Sequence, residues 1–156
     1  MPAPWLGVDL GDARVGLALS DPELTFAHPA GNVVVEGDSF LALDSVIDVI
    51  EQESVAVVVV GLPLLLDGTR GRSGKKAVRW VNALSNRIRA LMADGSLELN
   101  DIPHLRLLDE RLTTVSAHRQ LRDAKVAGRD HRPFVDQQSA VVLLQSALDS
   151  RQTLKE

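Results

Sequence analysis

The chain has 156 residues, 45% apolar and 24% charged, which suits one domain with a sizeable core. Its net charge of −4 supplies no global attraction for a polyanion, though an average can conceal a local basic patch. The lack of cysteine excludes disulfides, thiolate zinc sites and cysteine nucleophiles. No basic segment leads into an apolar one at the N-terminus, and no apolar run reaches about 18 residues. Neither a signal peptide nor a membrane span is expected, and the cytoplasm is the default location.

Residues 4–11 and 14–20 are predicted as strands joined by the short turn "GDA", which favours a hairpin. "NVVVEG" (32–37) offers a third strand. Residues 39–54 carry Phe40, Leu43, Ile47 and Ile50 at helical spacing, with Asp38 or Ser39 as N-cap. "VAVVVVG" (55–61) is continuously apolar and β-branched, as in a strand covered on both faces. Residues 61–74 are punctuated by Gly and Pro and read as a loop. A long helix follows to about Ala93, with Ala77, Val81, Leu84, Ile88 and Leu91 as its stripe. "HLRLLDE" (104–110) is a strand, 113–125 a helix, 126–135 a loop and 135–150 the last helix. One domain over 1–150 with a short tail, 151–156, is expected.

Three meandering strands followed by βα units imply an α/β fold, a mixed five-stranded sheet flanked by helices. That order is consistent with a ribonuclease-H-like fold, and it also suits half of an actin-like ATPase.

Asp9 stands inside an apolar strand. Alternation puts Leu6, Val8 and Leu10 on one face and Gly7, Asp9 and Gly11 on the other. The flanking glycines leave room for a ligand or another backbone beside a carboxylate that needs a partner. Glu110 ends the strand "HLRLLDE", and Asp136 begins the last helix. Acids at the ends of separate elements can converge on one pole of a sheet. Such oxygens suit Mg2+ or Mn2+, and two ions about 3.5–4 Å apart promote phosphodiester hydrolysis. Each acid also has a plainer explanation: Asp136 as a helix cap, Glu110 as a surface ion pair with Arg111. Asp9 has few structural uses where it stands.

"GVDLGDARVGLALSD", "VVVVGLPLLLDGTRG", "LLDERLTTVSA" and "VDQQSAVVLLQSAL" together resemble, in order and spacing, the YqgF family. Members are called Holliday-junction-resolvase-like and are associated with nuclease processing of pre-16S rRNA. The resemblance spans nearly the whole chain and implies a ribonuclease-H-like, metal-dependent nuclease related to the RuvC resolvases. It implies Asp9, Glu110 and Asp136 as catalytic, metal-binding acids. It also puts Arg14 beside the acid pocket. "RGRSGKKAVR" gathers Arg70, Arg72, Lys75, Lys76 and Arg79 around a helix N-terminus, where phosphate is already attracted. The implied partner is nucleic acid, either pre-rRNA or branched DNA, bound by a monomer or homodimer. Two departures stand out. Asp12 occupies a position often held by Thr or Ser, either joining the acids or opening the hairpin turn. Phe134 replaces a usual lysine, leaving His131 and Arg132 to carry charge, and His131 is a candidate proton carrier.

Other classes compete. "GVDLG" also resembles the phosphate-binding hairpin of actin-like ATPases, but "DAR" follows it and the chain is too short for both halves. A non-catalytic nucleic-acid-binding module is the second rival, and retention of all three acids speaks for an enzyme.

Overall fold

The "VVVVGL" run forms β4 (Val57–Leu62), buried on both faces as a continuous β-branched stretch requires. The computed structural model describes residues 3–110 and 132–155, and side chains within 3–110 and 138–151. Around β4 stand β1 (Trp5–Leu10), β2 (Arg14–Ser20), β3 (Ala27–Val34) and β5 (His104–Asp109), in the sheet order β3-β2-β1-β4-β5. β1, β2 and β3 pair antiparallel as a meander, whereas β1, β4 and β5 run parallel. The expected mixed five-stranded sheet is therefore present.

Three helices cover it: α1 (Leu43–Glu53), α2 (Arg72–Ala93) and α3 (Arg132–Lys155). Leu6, Val8, Val15, Leu17, Val58 and Val60 face one side, in a core with α1 and α2. Ala18, Val57 and Val59 face the other, against Ala140, Leu143, Leu144 and Leu148 of α3. Alternation along each strand thus builds two cores, one on each face of the sheet.

Several boundaries differ from the expectation. β3 begins at Ala27 rather than 32, and Val35–Gly37 turn away from it. As an edge strand it tolerates Pro29, whose missing N–H would break an interior ladder. The helix expected over 39–54 opens with a 3-10 turn, Ser39–Ala42, and Asp38 caps it by accepting from the Phe40 N–H (3.0 Å). On α2 the stripe holds at Ala77, Leu84 and Ile88, but Val81 and Leu91 are only half-buried. Trp80 fills the core instead, its Nε1–H donating to the Ser39 carbonyl (2.9 Å). α3 begins at Arg132, inside the stretch expected as a loop, because Pro133 is compatible with a first helical turn. It also runs on to Lys155, beyond the expected end at 150. The expected helix over 113–125 and His131 lie outside the described residues.

The direction of α3 fixes which pole its start occupies. A Cβ on Gly7 would sit 2.8 Å from Leu144 Cβ and 3.0 Å from the Ala140 carbonyl, so the helix lies directly on β1 there. Farther along, Gln145 accepts from the Ala27 N–H (2.9 Å), next to Ser20, whose hydroxyl accepts from Trp5 N–H (2.8 Å). α3 therefore runs opposite to β1, and its amino end lies at the carboxyl end of that strand. No helix among the described residues is long and apolar enough to cross a membrane.

Candidate active site

The two glycines flanking Asp9 serve the backbone. Gly7 admits α3, and Gly11 admits the Arg14 carbonyl, which accepts the Gly11 N–H at 3.0 Å across the hairpin turn. Asp9 itself is fully buried (0% exposed) on the α3 face of β1. Gly16 of β2 lies opposite Asp9, and Asn32 of β3 lies opposite Gly16, so one cross-strand row reads Asn32, Gly16, Asp9.

On the other flank, Val8 pairs with Val60, so Gly61 stands one step on, level with Asp9. Gly61 shares the α3 face with Val57 and Val59. A Cβ at Gly61 would collide with the Glu110 carboxylate, which therefore lies directly over this glycine. Glu110 is 1% exposed and immediately follows β5. Neighbouring strands are about 4.8 Å apart, so Asp9 and the cradle of Glu110 occupy adjacent positions at one pole. Glu110 is thus buried and not on the surface, and Arg111, the ion-pair partner its position suggested, lies outside the described residues.

Asp136 lies in the second turn of α3, one turn before Ala140, and its backbone is at the same pole. Because the helix already starts at Arg132, Asp136 is not its N-cap. Its side chain lies outside the described residues. Among the described residues no three His, Asp or Glu side chains form a metal-sized cluster. Two adjacent buried carboxylates, one seated over a glycine, nonetheless fit a hard divalent cation: they supply oxygen donors and a charge that burial makes costly to leave uncompensated.

Arg14 opens β2 on the face of Gly16, two residues from the partner of Asp9, and is half-buried. The other cations gather on the first turns of α2, which starts from the carboxyl end of β4. Arg72, Lys75, Lys76 and Arg79 follow the i, i+3, i+4, i+7 spacing of one helix face. Arg70, Arg72, Lys75 and Arg79 are exposed. Lys76 is half-buried, with its Nζ 3.8 Å from Asp12 Oδ1. That contact decides the two open possibilities for Asp12: it sits exposed in the hairpin turn, facing Lys76, and not among the buried acids. Gly71 at the N-cap has no side chain to cap the helix, which favours an anion at its first N–H groups.

Gly61 and Asn32 are the site positions that sequence reasoning missed. Gly61 ends a valine run and reads there as the start of a loop, whereas the interruption of β-branched residues marks a place where a side chain is not tolerated. Asn32 is a polar residue heading "NVVV", in a segment whose strand limits were placed too late.

A concavity of about 1060 Å³, lined by Ser54, Met92, Glu98 and His104 among others, opens at the amino ends of β4 and β5. It lies at the pole away from Asp9 and Glu110.

A family model described as RuvX, Holliday junction resolvase, matches residues 3–150. The "Putative pre-16S rRNA nuclease" of Bifidobacterium adolescentis is 66% identical over 145 residues, covering 93% of this chain and 96% of that protein. The protein of the same name from Mycobacterium leprae is 40% identical over 144 residues, covering 92% and 71%. Among solved structures, Thermus thermophilus RuvC in complex with a Holliday junction substrate superposes with a TM-score of 0.53 at 16% identity, covering 96% of each chain. That likeness is one of fold, and it meets the expectation of a ribonuclease-H-like sheet.

Proposed function

Because the chain belongs to the RuvX family of Holliday junction resolvases, we propose that it is a metal-dependent nuclease that processes the 5′ end of pre-16S rRNA. It is a hydrolase of nucleic-acid phosphodiester bonds. The observation that carries this reading is the burial of Asp9 and Glu110 at adjacent positions of one pole, an arrangement of carboxylate oxygens that suits a hard divalent cation. Asp9, Glu110 and Asp136 are the acids we assign to Mg2+ or Mn2+. When bound, such ions polarise water and offset the charge that develops on the leaving oxygen.

The remaining work falls to the protein. The carboxylates fix where the cation sits, and the glycine floor at Gly61 keeps Glu110 turned toward Asp9's strand. Arg14, within the pocket, meets the phosphate that approaches the acids. Arg70, Arg72 and Lys75 hold neighbouring phosphates, while Lys76 contributes less because Asp12 engages it. Together they give an acidic chain a basic rim around its acidic pocket.

A second reading, cleavage of branched DNA, is favoured by the family description itself. Paired cuts at a junction would require a homodimer, whereas trimming of an RNA end requires only a monomer. Purified protein incubated in Mn2+ with 5′-extended 16S precursor and with a four-way DNA junction separates the two. Cleavage at the precursor's 5′ extension is expected. Symmetric junction cuts with intact RNA would replace the ribosomal reading by the DNA one.

A further inference from the structure

The segment between β4 and α2 crosses the same pole and holds a side chain with no role in folding. Leu66 is 100% exposed and Leu65 beside it 54%. The turn that presents them is firmly built. Leu65 N–H donates to the Thr69 carbonyl (2.9 Å), and Gly68 N–H donates to the Leu65 carbonyl (2.8 Å), with Gly68 at φ +88°. Asp67 Oδ1 accepts from both the Thr69 N–H (2.9 Å) and the Thr69 hydroxyl (2.7 Å). At the base, Leu65 packs over Gly71, where a Cβ would come within 3.1 Å of its Cδ2. Ordering a turn costs conformational entropy, and leaving a leucine wholly in water gains nothing in return. Held out by this hydrogen-bonded turn, the adjacent Leu65 and Leu66 present apolar surface to whatever binds beside them.

Its surroundings identify the contact. Leu66 is the fifth residue after Gly61, so it lies within about 18 Å of the floor beneath Glu110. Arg70 and Arg72 follow directly, exposed, at the uncapped start of α2. Cations match a phosphate backbone, and the leucine that stands along the chain between the Gly61 floor and those cations matches the flat apolar faces of bases. We propose that Leu66 is a wedge that inserts between adjacent bases of the bound strand, so that the enzyme selects substrates with an unpaired nucleotide near the cleavage position. This rests on the nuclease reading above and adds to it the state of the nucleotide recognised. Insertion of an apolar side chain unstacks the bases it separates, which costs least where they are not paired.

The test is fluorescence titration with oligonucleotides carrying 2-aminopurine, which brightens on unstacking, at successive positions. Single-stranded and fully paired forms are compared, with Ca2+ replacing Mg2+ to suppress cleavage. Wild type should brighten the probe at one position of the single strand. Leu66→Ala should lose that signal and bind the single strand about tenfold more weakly, the worth of one buried leucine, with duplex binding unchanged. Leu66→Phe should restore both. Wild-type signal and affinity in Leu66→Ala, or tight wild-type binding without brightening at any position, overturns the wedge alone. Wild type that binds neither form overturns the nuclease reading with it.

Discussion

A methyl group at position 61 would occupy the space of the Glu110 carboxylate. Gly61→Ala should leave stability nearly unchanged, since replacing a strand glycine gains about 0.4–1 kcal/mol from the unfolded chain and the displaced carboxylate returns that gain. Cleavage should fall about a hundredfold, because small misplacements of catalytic groups are that costly. Thermal unfolding and single-turnover cleavage of the variant check both halves; full activity would show that Glu110 does not act from this position. Asp9 was legible in the sequence because an acid among strand apolars demands a reason. The cradle of Glu110 was not, because it depends on two strands lying side by side. The glycines beside Asp9 left room for a ligand or another backbone, and it is backbone that they admit. Asp12, one short turn away, was ambiguous until Lys76 of a distant helix was seen beside it.

Elements carry the site by their close approach. Gly7→Ala drives a Cβ into the backbone of α3, and the helix that carries Asp136 must shift. Overpacking of this kind costs about 1–3 kcal/mol, to be read from urea unfolding; an unchanged midpoint would contradict the contact. Trp80→Phe keeps most of the volume but loses the indole bond to Ser39, a cost of about 1 kcal/mol by the same measurement. Outside the site, the Phe26 and Thr25 N–H groups both donate to Asp21 and hold its carboxyl below the ordinary carboxylate range. That stabilisation is present above the unfolded pKa and is lost as pH falls through the lowered folded one. Asp21→Asn should therefore flatten the acid limb of stability against pH, and an unaltered limb would show the loop is not held this way. Periodicity located α1, α2 and the valine strand, whereas burial of Trp80 over Val81 depended on which face the 3-10 turn offered a carbonyl. The edge strand β3 was misplaced because its first half, "AHPAG", has no alternation to read. An edge position excuses it from the pattern.

At the scale of the whole molecule, a net charge of −4 coexists with a cluster of exposed cations at the start of α2, the local basic patch that we propose meets substrate. Replacing Arg72 and Lys75 with Ala should reduce the slope of log affinity against log salt by roughly 0.7–0.9 for each lost phosphate contact. An unchanged slope would make these cations a solvated face. The central claim is that paired acids at this pole hold a metal that the reaction requires. Its most direct test is the rate of cleavage of 5′-extended 16S precursor by wild type and by Asp9→Asn, each in Mn2+ and in excess chelator. The amide is nearly isosteric, so the fold should persist while its charge is gone. Cleavage by wild type in Mn2+ alone, with the other three reactions at background, is the predicted result. Equal rates for wild type and Asp9→Asn, or undiminished cleavage in chelator, would contradict it.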